Sequence, residues 1–301
     1  TPRLDAEPGA GCPSVRDGGA EVAARAPQPD DTVTRSDTDE RGRPVAEPVA
    51  HLDWGGDGPP VLLLHGLAGY AGEWEPVAVR LRERGHRVLA MDLRGHGGSV
   101  RHPRDTSANA HADDVAGLLG RLGAGPAVLV GQSLGGRVAL RVAVEHPSLV
   151  RGLALVEADA RPASGAPGDA AIRWLRSWPL PFPDRASAAA WLGGGAVGDA
   201  WAGGLEERDG GLRPRFDVDV LARLFDALLR APSWPAWTAP GLPVLLLVAE
   251  HGILAPAAVR AMLAARPDAW SLGVPGAGHD VHLERPDAVA GFLDAFLAAR
   301  L

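Results

Sequence analysis

Residues 131–136 read Gly131-Gln132-Ser133-Leu134-Gly135-Gly136, directly after the apolar run 127–130 and before a helical pattern that begins near Leu134. A sharp turn from a strand into a helix can hold a serine in a strained conformation, with its hydroxyl exposed at the edge of a sheet. The positions two residues before and after such a serine have to be small, and glycine stands at both. We therefore predict that Ser133 is a nucleophile, since the positive end of the following helix also favours an anion nearby.

Short apolar runs alternate with amphipathic helical patterns from Val45 onward. This alternation is typical of a mostly parallel sheet covered by helices, and continuous Val and Leu runs suit strands that are buried on both faces. The sequence therefore predicts an α/β fold. The predicted strands are 61–64, 88–91, 127–130, 153–156, 244–248 and 270–274, and the predicted helices are 74–84, 110–122, 134–145, 256–265 and 287–299.

Composition divides the 301 residues into three parts. Residues 1–43 are rich in Pro, Gly, Asp, Thr and Arg, so we predict a disordered N-terminal arm. Residues 44–160 and 241–301 carry the alternating pattern of the core. Residues 161–240 interrupt it and hold six of the nine tryptophans, so we expect a helical cap that forms a lid over the sheet. The alternative is a subdomain whose tryptophans pack only its own core.

Charge and composition exclude several classes of partner. The net charge of -7 leaves no basic surplus to neutralise nucleic-acid phosphates. No apolar run approaches the ~20 residues that cross a bilayer, and the start lacks the pattern of a signal peptide, so we expect a cytoplasmic protein without a membrane contact. The ten histidines are scattered and Cys12 is alone, which predicts no metal site and no cofactor. The oligomeric state is unknown at this stage.

A serine hydroxyl is a poor nucleophile unless a base lies within hydrogen-bond reach. His279 follows the last predicted strand in the flexible stretch Gly276-Ala277-Gly278-His279-Asp280, from which its side chain can reach over the sheet edge. His282 is the competitor, but its place in Val281-His282-Leu283 is typical of a packed structural histidine. We expect His279 to be the base.

Acyl chemistry also needs N–H donors for the developing oxyanion. The backbone N–H of Leu134, directly after the nucleophile, is one candidate. The other lies in the loop His65-Gly66-Leu67-Ala68-Gly69, with Leu67 as the expected donor, although this loop also fits an ordinary tight turn.

Taken together, the motifs and their order resemble the α/β-hydrolase superfamily over roughly residues 45–301. They are Leu64-His65-Gly66, then Asp92-Leu93-Arg94-Gly95-His96-Gly97-Gly98-Ser99, then the stretch around Ser133, then Gly278-His279. The resemblance implies an eight-stranded, mostly parallel sheet with a helical cap inserted after the sixth strand. It also implies that Asp92, Arg94 and His96 shape the core beside the site.

One position departs from the pattern of this superfamily. In most members the acid that orients the histidine follows the seventh strand, about four residues before a proline, and here Gly252 stands four residues before Pro256. Some members carry the acid after the sixth strand instead, where this chain has Glu157. The resemblance therefore implies Glu157 as the acid, with Asp159 and Glu250 as alternatives.

A serine at the turn excludes the alkyl-enzyme route, which requires a carboxylate nucleophile. We therefore expect a hydrolase that cleaves an ester, lactone or thioester bond of a small hydrophobic substrate, with Trp174, Trp178 and Trp191 lining the pocket. Two alternatives remain open: a lyase or cyclase on the same scaffold, and a catalytically silent protein that binds a ligand.

Overall fold

Seven strands form the central sheet of the computed structural model, which describes residues 47–161 and 168–300. They are β1 (His51–Gly55), β2 (Pro60–Leu64), β3 (Arg87–Met91), β4 (Ala127–Gln132), β5 (Val150–Val156), β8 (Val244–Ala249) and β9 (Trp270–Val274), and a separate hairpin contains β6 (Leu205–Arg208) and β7 (Gly211–Pro214). The order across the main sheet is β1-β3-β2-β4-β5-β8-β9. Strand β1 is antiparallel to β3 and the other neighbouring pairs are parallel, so the predicted α/β fold is confirmed.

Helices pack on both faces of this sheet, and others lie outside it. The helices of the described residues are α1 (Glu75–Glu83), α2 (Ala108–Leu122), α3 (Leu134–Glu145), α4 (Asp169–Arg176), α5 (Arg185–Trp191), α6 (Gly195–Gly203), α7 (Val218–Arg230), α8 (Trp234–Thr238), α9 (Pro256–Ala265), α10 (Val281–Glu284) and α11 (Pro286–Arg300). Within residues 47–161 and 168–300, none of the helices combines the length and the apolar character needed to span a bilayer.

The side chains of β2 show how the two faces are built. Leu62 and Leu64 pack into the apolar cluster that includes residues of α2 and α3, whereas Val61 and Leu63 pack into the cluster formed with α1 and α11. All four are fully buried. Since successive strand residues point to opposite faces and each such side chain contributes about 2 kcal/mol on burial, both faces of the strand stabilise the fold.

The six apolar runs of the sequence all fall within strands of the main sheet, but β1 is an addition to them. Its sequence, His-Leu-Asp-Trp-Gly, mixes polar with apolar residues because it is a partly exposed edge strand. The resemblance implies eight strands, and the described residues contribute seven. Residues 1–46, which include the predicted arm 1–43, lie outside the described residues, so the eighth strand stays a prediction.

The break in the α/β pattern follows β5, the fifth strand of the described sheet. We call residues 168–230, which contain α4 to α7 with β6 and β7, the insertion. The insertion has an apolar cluster of its own, to which Trp178, Phe182 and Leu221 belong. Trp237 of α8 belongs instead to the core cluster, and its indole N–H donates to the carbonyl oxygen of Met262 at 2.9 Å. Helix α8 therefore packs with the core, although it precedes residue 240.

Buried histidines lie beneath the loops at the carboxyl edge of the sheet. His65 donates from Nδ1 to the carbonyl of Gly66 and accepts the N–H of Leu93 at Nε2, and its ring meets that of His96 edge to face. Burial, with His65 nearby, holds the pKa of His96 well below its ordinary range. Burial and the neighbouring Arg94 guanidinium lower the pKa of His111 to about 3. These two rings are therefore neutral in the folded protein near pH 7.

This arrangement predicts a loss of stability in mild acid. The unfolded chain protonates His111 near pH 6.5 and the folded chain only near pH 3, so the unfolded state binds more protons between these values and the free energy of unfolding falls as the pH is lowered. Replacing His111 with Leu should reduce the slope of the free energy of unfolding against pH, by about 1 kcal/mol per pH unit. Urea unfolding at pH 7, 6 and 5 measures it.

The control for this measurement is His102→Leu, which removes an exposed histidine. It should keep the slope of the unmodified protein. Equal slopes for all three proteins would contradict the assignment of His111 as a buried neutral ring.

Candidate active site

Ser133 occupies the turn between β4 and α3 with φ 49° and ψ −110°. This is a left-handed conformation that a residue with a side chain rarely adopts, and it is a form of stored strain. Close packing of the turn explains the glycines beside it. A Cβ at Gly135 would lie 2.2 Å from the carbonyl oxygen of Leu64, and a Cβ at Gly131 would lie 2.3 Å from the Gly135 backbone. The turn can therefore form only with glycine at both positions.

His279 and Glu157 meet on the neighbouring part of the sheet edge. Glu157 directly follows β5, is fully buried and also has a positive φ of 51°. Its carboxylate accepts the N–H of Ala249 at 2.8 Å and the N–H of Ile253 at 2.7 Å. Its Oε2 lies 3.5 Å from Nδ1 of His279. The two backbone donors therefore fix the carboxylate in a position that faces the ring.

Gly252 is explained by the same carboxylate. A Cβ at this position would lie 2.1 Å from Oε2 of Glu157. The space that a side chain at 252 needs is already filled by an acid that comes from the end of β5. The absence of a carboxylate at 252 and the presence of Glu157 are thus two aspects of one packing arrangement.

The alternative acids point elsewhere. The Asp159 carboxylate pairs with the Arg161 guanidinium at 2.8 Å, and Glu250 accepts the N–H of Gly276 at 2.7 Å on the exposed surface. The alternative base is also engaged: His282 is buried, its Nε2 lies 3.2 Å from Oε1 of Glu73, and its ring packs on an indole.

A cavity of about 550 Å³ joins these parts. Ser133 and His279 line it, together with Gly66 and Leu67 of the loop after β2. Leu134 is the first residue of α3, so its N–H has no acceptor within the helix. The candidate nucleophile and base and one of the two expected donor loops therefore face a common space.

Comparison with known proteins identifies the family of this chain. Residues 61–292 match the model of a family described as "Alpha/beta hydrolase family". The chain belongs to the α/β-hydrolase family. It is 33% identical over 252 residues to 2-(acetamidomethylene)succinate hydrolase of Mesorhizobium japonicum, covering 80% of this chain and 90% of the relative.

Two further comparisons place this α/β-hydrolase among hydrolases. It is 32% identical over 269 residues to the sn-1-specific diacylglycerol lipase ABHD11 of Mus musculus, covering 83% of this chain and 86% of the lipase. The crystal structure of an E-2-(acetamidomethylene)succinate hydrolase matches with a TM-score of 0.76 and 31% identity, covering 83% of this chain and 95% of that one.

The tryptophans of this α/β-hydrolase lie differently from the prediction. Trp174 lines the cavity, as does Trp201, which the sequence did not single out. Trp178 is buried against Phe182 in the cluster of the insertion. Trp191 stacks on Trp174 at 6.3 Å and is 41% exposed. The structure therefore does not place Trp178 or Trp191 on this cavity: Trp178 lies after the end of α4 and Trp191 is the last residue of the seven-residue α5, so helical periodicity could not show which of them faces inward.

Gln132 is a site residue that sequence reasoning missed. Its side-chain nitrogen lies 3.1 Å from the carbonyl oxygen and 3.3 Å from Nε2 of His279. Its Oε1 packs against Gly66, where an added Cβ would lie only 2.0 Å from this oxygen. The amide therefore bridges the base and the loop after β2. The available signal was a polar residue at the end of an otherwise apolar, fully buried strand.

Two acids in the cavity were missed as well. Asp280 accepts the indole N–H of Trp201 at 3.2 Å, and Glu73 lies on the same cavity beside the ring of His282. Burial raises the pKa of the Asp280 carboxyl, His282 opposes the rise, and Glu73 adds to it. Asp280 was visible in the sequence as the neighbour of His279, whereas Glu73 had no local signal.

The packing at Gly252 predicts the effect of a single methyl group. Gly252→Ala should lower the free energy of unfolding by about 1–3 kcal/mol, because the methyl group displaces a carboxylate that two backbone N–H groups hold in place. Chemical denaturation measures this loss. The matched control is Gly273→Ala, where a Cβ meets nothing within 4 Å. Equal stability of the two variants would show that Glu157 does not fill this space.

Proposed function

We propose that this chain is a serine hydrolase that cleaves an ester-like bond (ester, lactone or thioester) of a small hydrophobic substrate through an acyl-enzyme. One observation carries the proposal. The strained Ser133 and the His279 ring line one cavity, and the fixed Glu157 carboxylate faces the far nitrogen of that ring. A hydroxyl, an oriented imidazole and an acid in this order are the parts that activate a serine.

Each part has a defined role in the proposed reaction. Ser133 Oγ attacks the substrate carbonyl while His279 Nε2 takes the hydroxyl proton, and Glu157 holds the Nδ1 proton and stabilises the imidazolium. The N–H groups of Leu67 and Leu134 bind the oxyanion. His279 then gives its proton to the leaving group, and water repeats the sequence to release the acid. The 3.5 Å contact between His279 and Glu157 shortens as the imidazolium forms.

The proposal also includes the predicted lid, the absence of a cofactor and the class of substrate. The insertion acts as the lid, since Trp174 and Trp201 supply apolar walls of the cavity. Side chains and water complete the reaction, so no cofactor takes part. The chemistry of the relatives leaves the substrate open: one is named for a succinate and another for a diacylglycerol, which differ in charge. Both are hydrolases, which favours hydrolysis over lyase chemistry.

Labelling with a fluorophosphonate tests the nucleophile. We expect one adduct, located at Ser133 by peptide mass mapping, and a loss of p-nitrophenyl ester hydrolysis of about ten-thousandfold or more in Ser133→Ala and His279→Ala. Folding of both variants is checked by circular dichroism. Turnover that survives in Ser133→Ala but not in His279→Ala would favour a lyase or cyclase, and unchanged ligand affinity without any turnover would favour a binding protein.

Exchanging the acid tests the role of Glu157. Glu157→Gly should reduce kcat by about a thousandfold because it removes the partner of Nδ1, while glycine accepts the positive φ. The double variant Glu157→Gly with Gly252→Asp should recover at least about tenfold of that loss, since the cleared space receives a carboxylate from the end of β8. Gly252→Asp alone should be inactive or unstable, because the two acids compete for one position.

The exchange is measured as kcat across pH 5 to 9 for all four proteins. Strict additivity of the two substitutions would contradict the proposal that positions 157 and 252 share one carboxylate site.

A further inference from the structure

The charged side chains that line the cavity beside His279 are acidic. Glu73 and Asp280 both face it, and the cavity-lining residues within the described ranges include no arginine. The chain contains no lysine, and the sequence of residues 162–167 holds no basic residue. Among the residues that the structure describes, a carboxylate that enters this space thus meets two acidic side chains and no basic side chain other than histidine.

Asp280 is the more important of the two acids. Its one hydrogen-bonding side-chain partner within the described residues is the neutral indole of Trp201. Glu73, in contrast, accepts the Tyr70 backbone N–H at 3.3 Å, and its Oε1 lies 3.2 Å from Nε2 of the His282 imidazole. The groups that act on Asp280 electrostatically are His282, Glu73 and His279. Within the described residues, the Asp280 carboxylate therefore has fewer hydrogen-bonding partners than the Glu73 carboxylate and is the less engaged of the two by the protein itself.

The position of Asp280 beside the proposed base strengthens its repulsion of a negatively charged substrate. Asp280 is the residue after the proposed base, so any acyl or alcohol group bound at Ser133 lies in the same cavity as this carboxylate. Trp174, Leu175 and Phe225 supply apolar lining, and such a wall reduces the screening of a charge by water. Two like charges about 8 Å apart at an effective dielectric constant near 20 slow a reaction by roughly an order of magnitude or more.

We propose that Asp280, with Glu73 beside it, makes the site select against substrates that carry a carboxylate, so that the enzyme acts on uncharged esters. The inference rests on the proposed hydrolase function and narrows its substrate class by charge. It assigns Asp280 a role in specificity and leaves the chemical steps to Ser133 and His279.

Two matched pairs of esters test the selection at pH 8. The first pair is p-nitrophenyl hexanoate and the p-nitrophenyl monoester of adipic acid, which place a methyl or a carboxylate at the end of an acyl chain of equal carbon count. The second is phenyl hexanoate and 4-carboxyphenyl hexanoate, which place the charge on the alcohol side. We expect kcat/KM to favour the uncharged ester by at least about tenfold in one pair or both.

Asp280→Asn should lower the ratio of kcat/KM between the uncharged and the charged ester at least threefold, because the amide keeps the shape of the side chain and its contact with Trp201 but removes the charge. The ratio reports on charge and not on folding, since both esters of a pair are measured with the same protein. Glu75→Gln, which removes an exposed charge of α1, is the control and should leave the ratio unchanged.

The outcomes separate the two proposals. The charge selection would be overturned, while the hydrolase function stands, if the hexanoates are turned over but kcat/KM differs by less than twofold between the esters of both pairs. It would also be overturned if Asp280→Asn leaves the ratio of kcat/KM unchanged. Absence of turnover with every ester, together with no fluorophosphonate adduct on folded protein, would remove the function and the charge selection together.

Discussion

The close approach of the turn at Ser133 to strand β2 is the constraint on which the site depends. Gly135 packs against the carbonyl of Leu64, and Ser133 in the same turn adopts its left-handed conformation. The same approach brings the first turn of α3 close to the end of β2, since a Cβ at Gly135 would also lie 2.7 Å from the carbonyl oxygen of His65. Two elements that the chain separates by more than sixty residues thus share one face of the cavity, and a side chain at position 135 would push them apart.

A second constraint links the ends of β5 and β8. The Glu157 carboxylate leaves β5 and is held by N–H groups at the end of β8 and just beyond it, at Ala249 and Ile253. It occupies the place that a residue at 252 would fill, so one carboxylate serves two strand ends. The acid can therefore be carried by the loop after either strand without a change of fold, because parallel neighbours end at the same edge and present their loops to a common space.

The insertion contributes shape, and the core contributes charge. Trp174 and Trp201 come from the insertion, whereas Glu73, Asp280 and His279 come from loops and helices of the core. The indole of Trp201 joins the two by its hydrogen bond to Asp280. Movement of the insertion would consequently change both the width of the cavity and the surroundings of this carboxylate.

The sequence by itself determined what is encoded within a few neighbouring residues. Apolar runs marked six of the seven described strands, and the turn glycines marked Ser133, because strand burial and turn geometry are local requirements. His279 was selected by its place after the last predicted strand and Glu157 by resemblance, and the structure places Nδ1 of His279 3.5 Å from Oε2 of Glu157. Only the tertiary structure decided which tryptophans face the cavity, that Gln132 bridges two loops, and that Glu73 lies beside His282, 209 positions further along the chain. Such contacts depend on how distant segments pack, and no local pattern records them.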